Sequence, residues 1–214
     1  MEQIREEVKK HMLAQSPSHD WMHVERVLKN ALHIGKVEGA DLEIVELAAL
    51  LHDIARDIDT NTTETGDTCH AVEGAKIAEE ILKKHNYHAE KIEKICHCIK
   101  THRFRDPTLV PETLEAKVIY DADKLDVLGA IGVARTYSFG GEHNQKLYSD
   151  FNAEPELKKS YDNSEHTPVV EFQMKLSKLK DKMLTNEGKR LAEERHNFMV
   201  NFYSELEKEV KGEL

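Results

Sequence analysis

Along this chain apolar residues return every three or four positions. No stretch alternates strictly over the length of a strand, so the pattern predicts helices from end to end. Residues 2–14 form a short amphipathic helix that breaks near Pro17. The next helix carries Val24, Val27, Leu28, Ala31 and Ile34 on one face, with Ser18 or Asp20 as its cap and Gly35 and Gly39 loosening its end. A third runs from about Leu42 to Arg56. A fourth spans roughly 70–85 with Ala75, Ala78, Ile81 and Leu82 inward, and a fifth roughly 89–102 with Ile92, Ile95, Cys96 and Ile99 inward. A sixth begins near Glu112 and continues to about Tyr137. Two more follow, the first defined by Val169, Phe172, Leu176, Leu179 and Met183, the second in part by Leu191, Phe198, Phe202 and Leu206. Polar connectors cover 59–68, the loop bracketed by Pro107 and Pro111, and the long irregular segment 138–167, a length that usually marks function or mobility. The expected fold is all-α in one domain over 1–214, a helical bundle with a C-terminal helical extension.

The composition suits that picture. Of 214 residues 39% are hydrophobic and 33% charged, as in helices with one buried and one solvated face. A net charge of −10 argues against general nucleic-acid binding and against an anionic membrane. A small phosphorylated substrate stays compatible, because a bound cation reverses the field inside a pocket. No apolar run reaches membrane-spanning length, and the charged start Met1–Val8 has no signal-peptide core. Three cysteines, with Cys96 and Cys98 one residue apart, read as reduced thiols, and a cytoplasmic location is expected.

The unusual count is thirteen histidines, and their positions carry the chemistry. In Leu47-Ala48-Ala49-Leu50-Leu51-His52-Asp53-Ile54-Ala55-Arg56-Asp57 an apolar run delivers a histidine and an aspartate side by side, about 100° apart around a helix. A buried carboxylate needs a cation or strong donors, and the adjacent imidazole suggests a metal. A buried His–Asp hydrogen bond without a metal is the other reading. His23 stands at the edge of an apolar face, beside Val24 and one turn before Val27.

A third stretch, Val118-Ile119-Tyr120-Asp121-Ala122-Asp123-Lys124-Leu125-Asp126, places three aspartates in a hydrophobic helix. Asp123 has Ile119 and Val127 one turn to either side and so points inward. Asp126, flanked by Ala122 and Ala130, is the second choice, as a ligand or as an acceptor holding a ligand histidine. Asp121, flanked by Lys117 and Leu125, is expected to be more solvated. Buried ion pairs to Arg26, Arg56 or Lys124 are the alternative for the whole helix. Two imidazoles and two carboxylates suit a divalent ion with positions left open for water or substrate.

The ordered set His23-x-x-Arg26-Val27, then His52-Asp53, then Asp123 before Lys124-Leu125 resembles the HD superfamily of metal-dependent phosphohydrolases. The resemblance covers about 15–135 with motifs. The C-terminal Glu187-Gly188-Lys189-Arg190 and Glu194-Arg195-His196 look like its branch of small, poorly characterised bacterial and archaeal hydrolases. It implies an HD-domain helical bundle over that core, with C-terminal helices to about 210. It also implies metal ligation by His23, His52, Asp53 and Asp123. His70, in His70-x-x-x-Gly74-Ala75, and His102 match extra histidines of branches that bind a second metal or the substrate phosphate. As a capping or a core histidine, each has an ordinary reading too. The implied cofactor is a divalent ion (Mn, Mg, Fe, Co, Ni or Zn), one or two per chain. Arg103 follows His102 where the HD-GYP branch has a second histidine, and no Gly-Tyr-Pro occurs, so a cyclic-di-GMP phosphodiesterase is not expected.

The reaction class so implied is hydrolysis of a phosphate ester or anhydride of a small phosphorylated metabolite, with a nucleotide as first choice, by metal-activated water. Asp53, Arg56 and Lys124 are the catalytic candidates, and Arg26 and Arg103 the substrate-binding ones. Structural salt bridges are the alternative for these cations. Asp53 is placed to orient the water, and His70 or His102, where not metal-bound, to protonate the leaving group. Two other functions stay open: a di-metal oxygenase of the same fold, and a catalytically silent metal- or nucleotide-binding module. His97, five residues and about 140° from His102, should not share its site. His11, His33, His85, His88 and His143 read as surface or structural. The amphipathic C-terminal helix has two partners open to it, its own domain or a second copy in a homo-oligomer.

Overall fold

The computed structural model describes residues 1–12, 21–56, 70–103, 108–151 and 166–213. The candidate caps Ser18 and Asp20, the polar stretch 59–68, Pro107 and residues 152–165 of the segment 138–167 lie outside them. The described residues are helical and contain no strand. The helices are α1 (Glu2–Met12), α2 (Trp21–Glu38), α3 (Leu42–Leu51), α4 (His70–Lys84), α5 (Ala89–Thr101), α6 (Leu114–Leu125), α7 (Gly129–Glu142), α8 (Pro168–Met174) and α9 (Asn186–Lys211). None is long and apolar enough to cross a membrane.

The chain divides into two units. The first comprises Met1–Asp123 with Leu184–Gly188, and the second Lys124–Met183 with Lys189–Leu214. In the first, α3 is the central helix, with α1, α2, α4 and α5 packed against it. It begins at Asp41, whose carboxylate accepts from the Glu43 and Ile44 backbone N–H groups at 3.0 and 3.3 Å. From Leu47 to Ala55 every residue is buried, so this segment is enclosed on all sides. The inward stripes expected on α2, α4 and α5 are all buried.

The structure ends α3 earlier than the expected Arg56. The regular helix stops at Leu51, and the chain goes on in tighter turns, with Ile54 N–H donating to Leu51 O at 3.2 Å and Arg56 N–H to Asp53 O at 3.0 Å. Bonds of this three-residue span wind the chain more tightly than an α-helix, as is common where orphan carbonyls end a helix.

The sixth expected helix, Glu112 to Tyr137, is two. Leu128 is extended (φ −117°, ψ 160°) and Gly129 is left-handed (φ +71°), so α6 and α7 meet at a sharp break. Apolar periodicity runs straight through this point, which hides it from a pattern reading. In the second unit α7 continues to Glu142, five residues into the segment expected to be irregular. The next expected helix, over Val169–Met183, is also broken: α8 ends at Met174, and two short 3₁₀ turns, Leu176–Lys178 and Lys180–Lys182, complete it. On α9 the buried stripe is Ala192, Met199 and Tyr203, whereas Phe198 is 48% exposed. Phe172 stacks on Tyr203 at 4.4 Å between ring centroids, and the Tyr203 hydroxyl donates to Pro168 O at 3.2 Å. Those partners select Tyr203 over its neighbour Phe202 for the buried face.

Candidate metal centre

Five segments of the first unit bring ionisable side chains into its interior. His23 comes from the first turn of α2, and His52 and Asp53 from the turn that closes α3. His70 is the first residue of α4, His102 caps the end of α5, and Asp123 stands near the end of α6. His23, His52, Asp53, His70 and His102 are all buried, and the Asp123 side chain is 18% exposed. Four imidazoles form a row, with centroids 5.3 Å apart from His23 to His52, 5.3 Å from His52 to His102 and 5.5 Å from His102 to His70.

The Asp53 carboxylate divides this row. Its Oδ2 lies 3.6 Å from His23 Nε2 and 3.6 Å from His52 Nε2. The two nitrogens are 3.3 Å apart, and Asp123 Oδ1 is 3.7 Å from His23 Nε2. Asp53 Oδ1 faces the other way, 3.2 Å from His70 Nε2 and 3.5 Å from His102 Nε2. Ligands bound at about 2.1 Å from one ion sit roughly 3–3.5 Å from one another. Spacing in each group matches that, and the two groups that could hold an ion are His23–His52–Asp53 and Asp53–His70–His102.

Backbone carbonyls orient two of the rings. His52 Nδ1 donates to Ala49 O at 2.8 Å and His102 Nδ1 to Ile99 O at 2.7 Å, each three residues back at the end of its helix. The carbonyl fixes the proton on Nδ1 and leaves the Nε2 lone pair aimed at the Asp53 carboxylate, as a metal ligand requires. Burial drives the His52 pKa down to about 4, against the pull of Asp53, so the ring is neutral at ordinary pH. Burial alone would raise the Asp53 pKa, but His52 and the rings of His102, His23 and His70 outweigh it and hold the carboxyl well below its usual range. A neutral His52 beside an ionised Asp53 is the pair of protonation states that a divalent ion takes.

Two of the expected cations converge on one ring. Arg103 Nη1 lies 2.9 Å from His70 Nδ1, and Arg56 Nη1 lies 3.2 Å from the same nitrogen and 3.3 Å from Nε2. Arg26 is half-buried on α2, three residues after His23. Lys124 is half-buried and belongs to the second unit.

The two other aspartates of this stretch, Asp121 on α6 and Asp126 just beyond its end, are spoken for. Asp126, considered above as a ligand or a holder of one, pairs with Arg135 at 2.6 Å within the second unit. Asp121, expected to be solvated, is fully buried. Its oxygens accept from Leu184 N–H and Thr185 N–H, each at 2.8 Å, and from the Thr185 hydroxyl at 2.6 Å. Residues 184–188 are thereby tied to the first unit, and Glu187 adds a 2.7 Å pair to His33. A pattern reading had only the flanking Lys117 and Leu125 to judge Asp121 by. The local signal it could have used is Thr185, a hydroxyl residue placed to cap the start of α9, where it accepts from Gly188 N–H at 3.0 Å. His97 accepts from Glu112 N–H at 3.3 Å, away from His102, and His85 pairs with Glu7 at 3.2 Å, a structural role as expected.

The model of the HD domain matches residues 21–128. The uncharacterised protein YpgQ of Bacillus subtilis is 36% identical over 214 residues, which covers 99% of this chain and 94% of YpgQ. The crystal structure of YpgQ in complex with ADP matches with a TM-score of 0.73 and 33% identity, covering 97% of this chain and 93% of that one. That of an HD-superfamily hydrolase from Bacillus thuringiensis matches with a TM-score of 0.74 and 33% identity, covering 98% and 96%.

Proposed function

The chain belongs to the HD domain family, and from that premise we propose that it is a metal-dependent phosphohydrolase acting on a small phosphorylated metabolite, a nucleotide before others. The observation that carries this reading is the Asp53 carboxylate, with one oxygen among His23 and His52 and the other among His70 and His102. The ADP complex of YpgQ supports a nucleotide as the substrate class.

In this reading His23, His52, Asp53 and Asp123 hold the first ion, and Asp53, His70 and His102 a second. A divalent ion supplies acidity to a water molecule and positive charge beside the phosphoryl oxygens. The protein's own groups do the rest. Asp53 Oδ1, on the side away from His23, is placed to orient the attacking water when only the first ion is present. Arg56 and Arg103 meet the equatorial charge that develops on the phosphoryl group, and Arg26 is a third cation for the substrate. When only the first ion is bound, His70 or His102 is the proton donor for the leaving oxygen.

The test is metal analysis of the purified chain, followed by a phosphate-release screen with Mn²⁺, Mg²⁺, Co²⁺ or Ni²⁺. Substrates are nucleoside mono-, di- and triphosphates, dinucleoside polyphosphates and an aryl phosphate. Bound metal with phosphate or pyrophosphate release is the expected result. Bound iron with oxygen consumption and no phosphate release would replace it with the di-metal oxygenase. A chain that takes up no metal after reconstitution would end the reading.

A further inference from the structure

Asp123 stands in the last turn of α6, where helices fray, and is the final residue of the first unit before the chain passes into the second. A hold on α6 comes from much later in the chain. Two residues before Asp123, the Asp121 carboxylate accepts from Leu184 N–H, Thr185 N–H and the Thr185 hydroxyl. In the same short segment the Glu187 carboxylate pairs with His33 Nε2 at 2.7 Å, and Glu187 N–H donates to Glu38 Oε1 at 2.7 Å. His33 and Glu38 belong to α2, the helix that carries His23 in its first turn. Residues 184–188 therefore bridge the two helices that bring Asp123 Oδ1 to 3.7 Å from His23 Nε2. The bridge is built from buried polar groups, with Asp121 at 0%, Thr185 at 4% and Glu187 at 9% exposure. Capping the start of α9 needs only the bond from Gly188 N–H to the Thr185 hydroxyl. Burying two carboxylates as well is costly, and what it adds is the tie from α6 to α2.

We propose that Thr185 and Glu187 are positioning residues for the first metal group, holding α6 against α2 so that Asp123 reaches the same ion as His23. The proposal rests on the reading of His23, His52, Asp53 and Asp123 as ligands of that ion. The physical reason is leverage. Asp121 and Asp123 leave α6 on opposite faces, so a grip on the first sets the rotation of the helix and with it the direction of the second. A side-chain tip stands about 5–6 Å from a helix axis, so a rotation of about 10° moves it by about 1 Å. A metal ligand tolerates a displacement of only about 0.2 Å. Thr185 thus sets the turn of α6 through Asp121, and Glu187 sets its place against α2 through His33 and Glu38. Neither residue touches the ion, and both act through Asp123.

The experiment titrates the full chain with Mn²⁺ and follows free ion by electron paramagnetic resonance, reading the affinity of the first equivalent. Thr185→Val and Glu187→Ala should each weaken it about tenfold, the lower end of the loss seen when a group that orients a metal ligand is removed. Thr185→Ser, which keeps the hydroxyl, should restore it. In an Asp123→Ala background Thr185→Val should cost nothing further, because the ligand it positions is gone. Val8→Ala is the control for lost stability: Val8 is buried on α1, which carries no expected ligand, so this variant should unfold at lower urea and bind Mn²⁺ as the wild-type chain does. The inference is overturned by full affinity in either Thr185→Val or Glu187→Ala, by the same loss in Val8→Ala, or by a loss in Thr185→Val that is equal with and without Asp123. Those outcomes leave the metal centre standing. Wild-type affinity in Asp123→Ala alone would instead remove Asp123 from the ligands, and a wild-type chain that binds no Mn²⁺ would remove the function reading beneath the inference.

Discussion

Gly188 lies so close to Asp121 that a methyl group on its Cα would overlap the carboxylate oxygen Oδ2. The same oxygen accepts from Thr185 N–H and from the Thr185 hydroxyl, and that hydroxyl accepts in turn from Gly188 N–H at 3.0 Å. Asp121 and Asp123 are two positions apart on α6, about 200° around the helix. Residues 184–188 therefore grip α6 on the side opposite the one that presents Asp123 to His23. Gly188→Ala is expected to destabilise by about 2–3 kcal/mol, as overpacking against a group with no room to move. Asp121→Ala, which strands two backbone donors, should cost about 3 kcal/mol or more. Urea unfolding followed by far-ultraviolet circular dichroism reads both, as a lower midpoint with an unchanged slope.

Asp53 faces both groups that could hold a metal, and the histidines face one each. Asp53→Ala should remove all bound metal and lower phosphate release by more than about 100-fold, since the ion's contribution amounts to several kcal/mol. His102→Ala should keep the first equivalent of metal and lose the second. Metal-to-protein ratios after gel filtration check this: retention of both equivalents by either variant would contradict the placement of the two groups.

The two described cysteines are free and buried. Burial pushes the Cys96 thiol up to about 11 and the Cys98 thiol up to about 12. Both stay protonated at pH 8, so a thiolate-directed reagent should leave them unlabelled in the native protein and react with them once urea is added. The sign of the stability effect follows. Above the ordinary thiol pKa of about 8.5 the unfolded chain loses protons that the folded chain keeps, so stability falls as pH rises from about 8.5 toward 11. Unfolding free energies measured at pH 7.5 and 10 test this, with Cys96→Ala/Cys98→Ala as the variant in which that part of the fall disappears.

Gly129 holds a left-handed conformation at φ +71°, and a Cβ there would meet Arg195 Cγ at 3.0 Å. Gly129→Ala is expected to cost about 1–3 kcal/mol, from backbone strain and from displacing the Arg195 side chain, whose guanidinium donates to Leu125 O. Thermal unfolding should show it, and Gly39→Ala is the comparison, with positive φ but nothing within 4 Å of the added methyl.

Much of this was legible in the chain. The inward residues of α2, α4 and α5 were readable because helical periodicity is local: three or four positions decide which side a residue faces. His52 and Asp53 declared themselves by sitting in an apolar run, where an ionisable pair is costly without a purpose. Asp123 was preferred to Asp126 from its flanking apolar residues, and the structure brings Asp123 to 3.7 Å from His23 and Asp126 to Arg135.

Other features depend on segments far apart in the chain. Asp121 is buried because residues 184–188 close over it, more than sixty positions later. The stripe on α9 is set by Phe172 and Pro168, and the break at Gly129 by a backbone angle that periodicity does not register. The sequence by itself determined the inward stripes of α2, α4 and α5, the all-α class and the set of histidines and aspartates available for a metal, because these follow from spacing within a turn or two. Only the tertiary structure decided that Asp53 divides its two oxygens between two groups, and that His70 meets guanidiniums where His52 and His102 meet carbonyls. The direction of a hydrogen bond depends on which partner a distant segment delivers, and no local pattern carries that information.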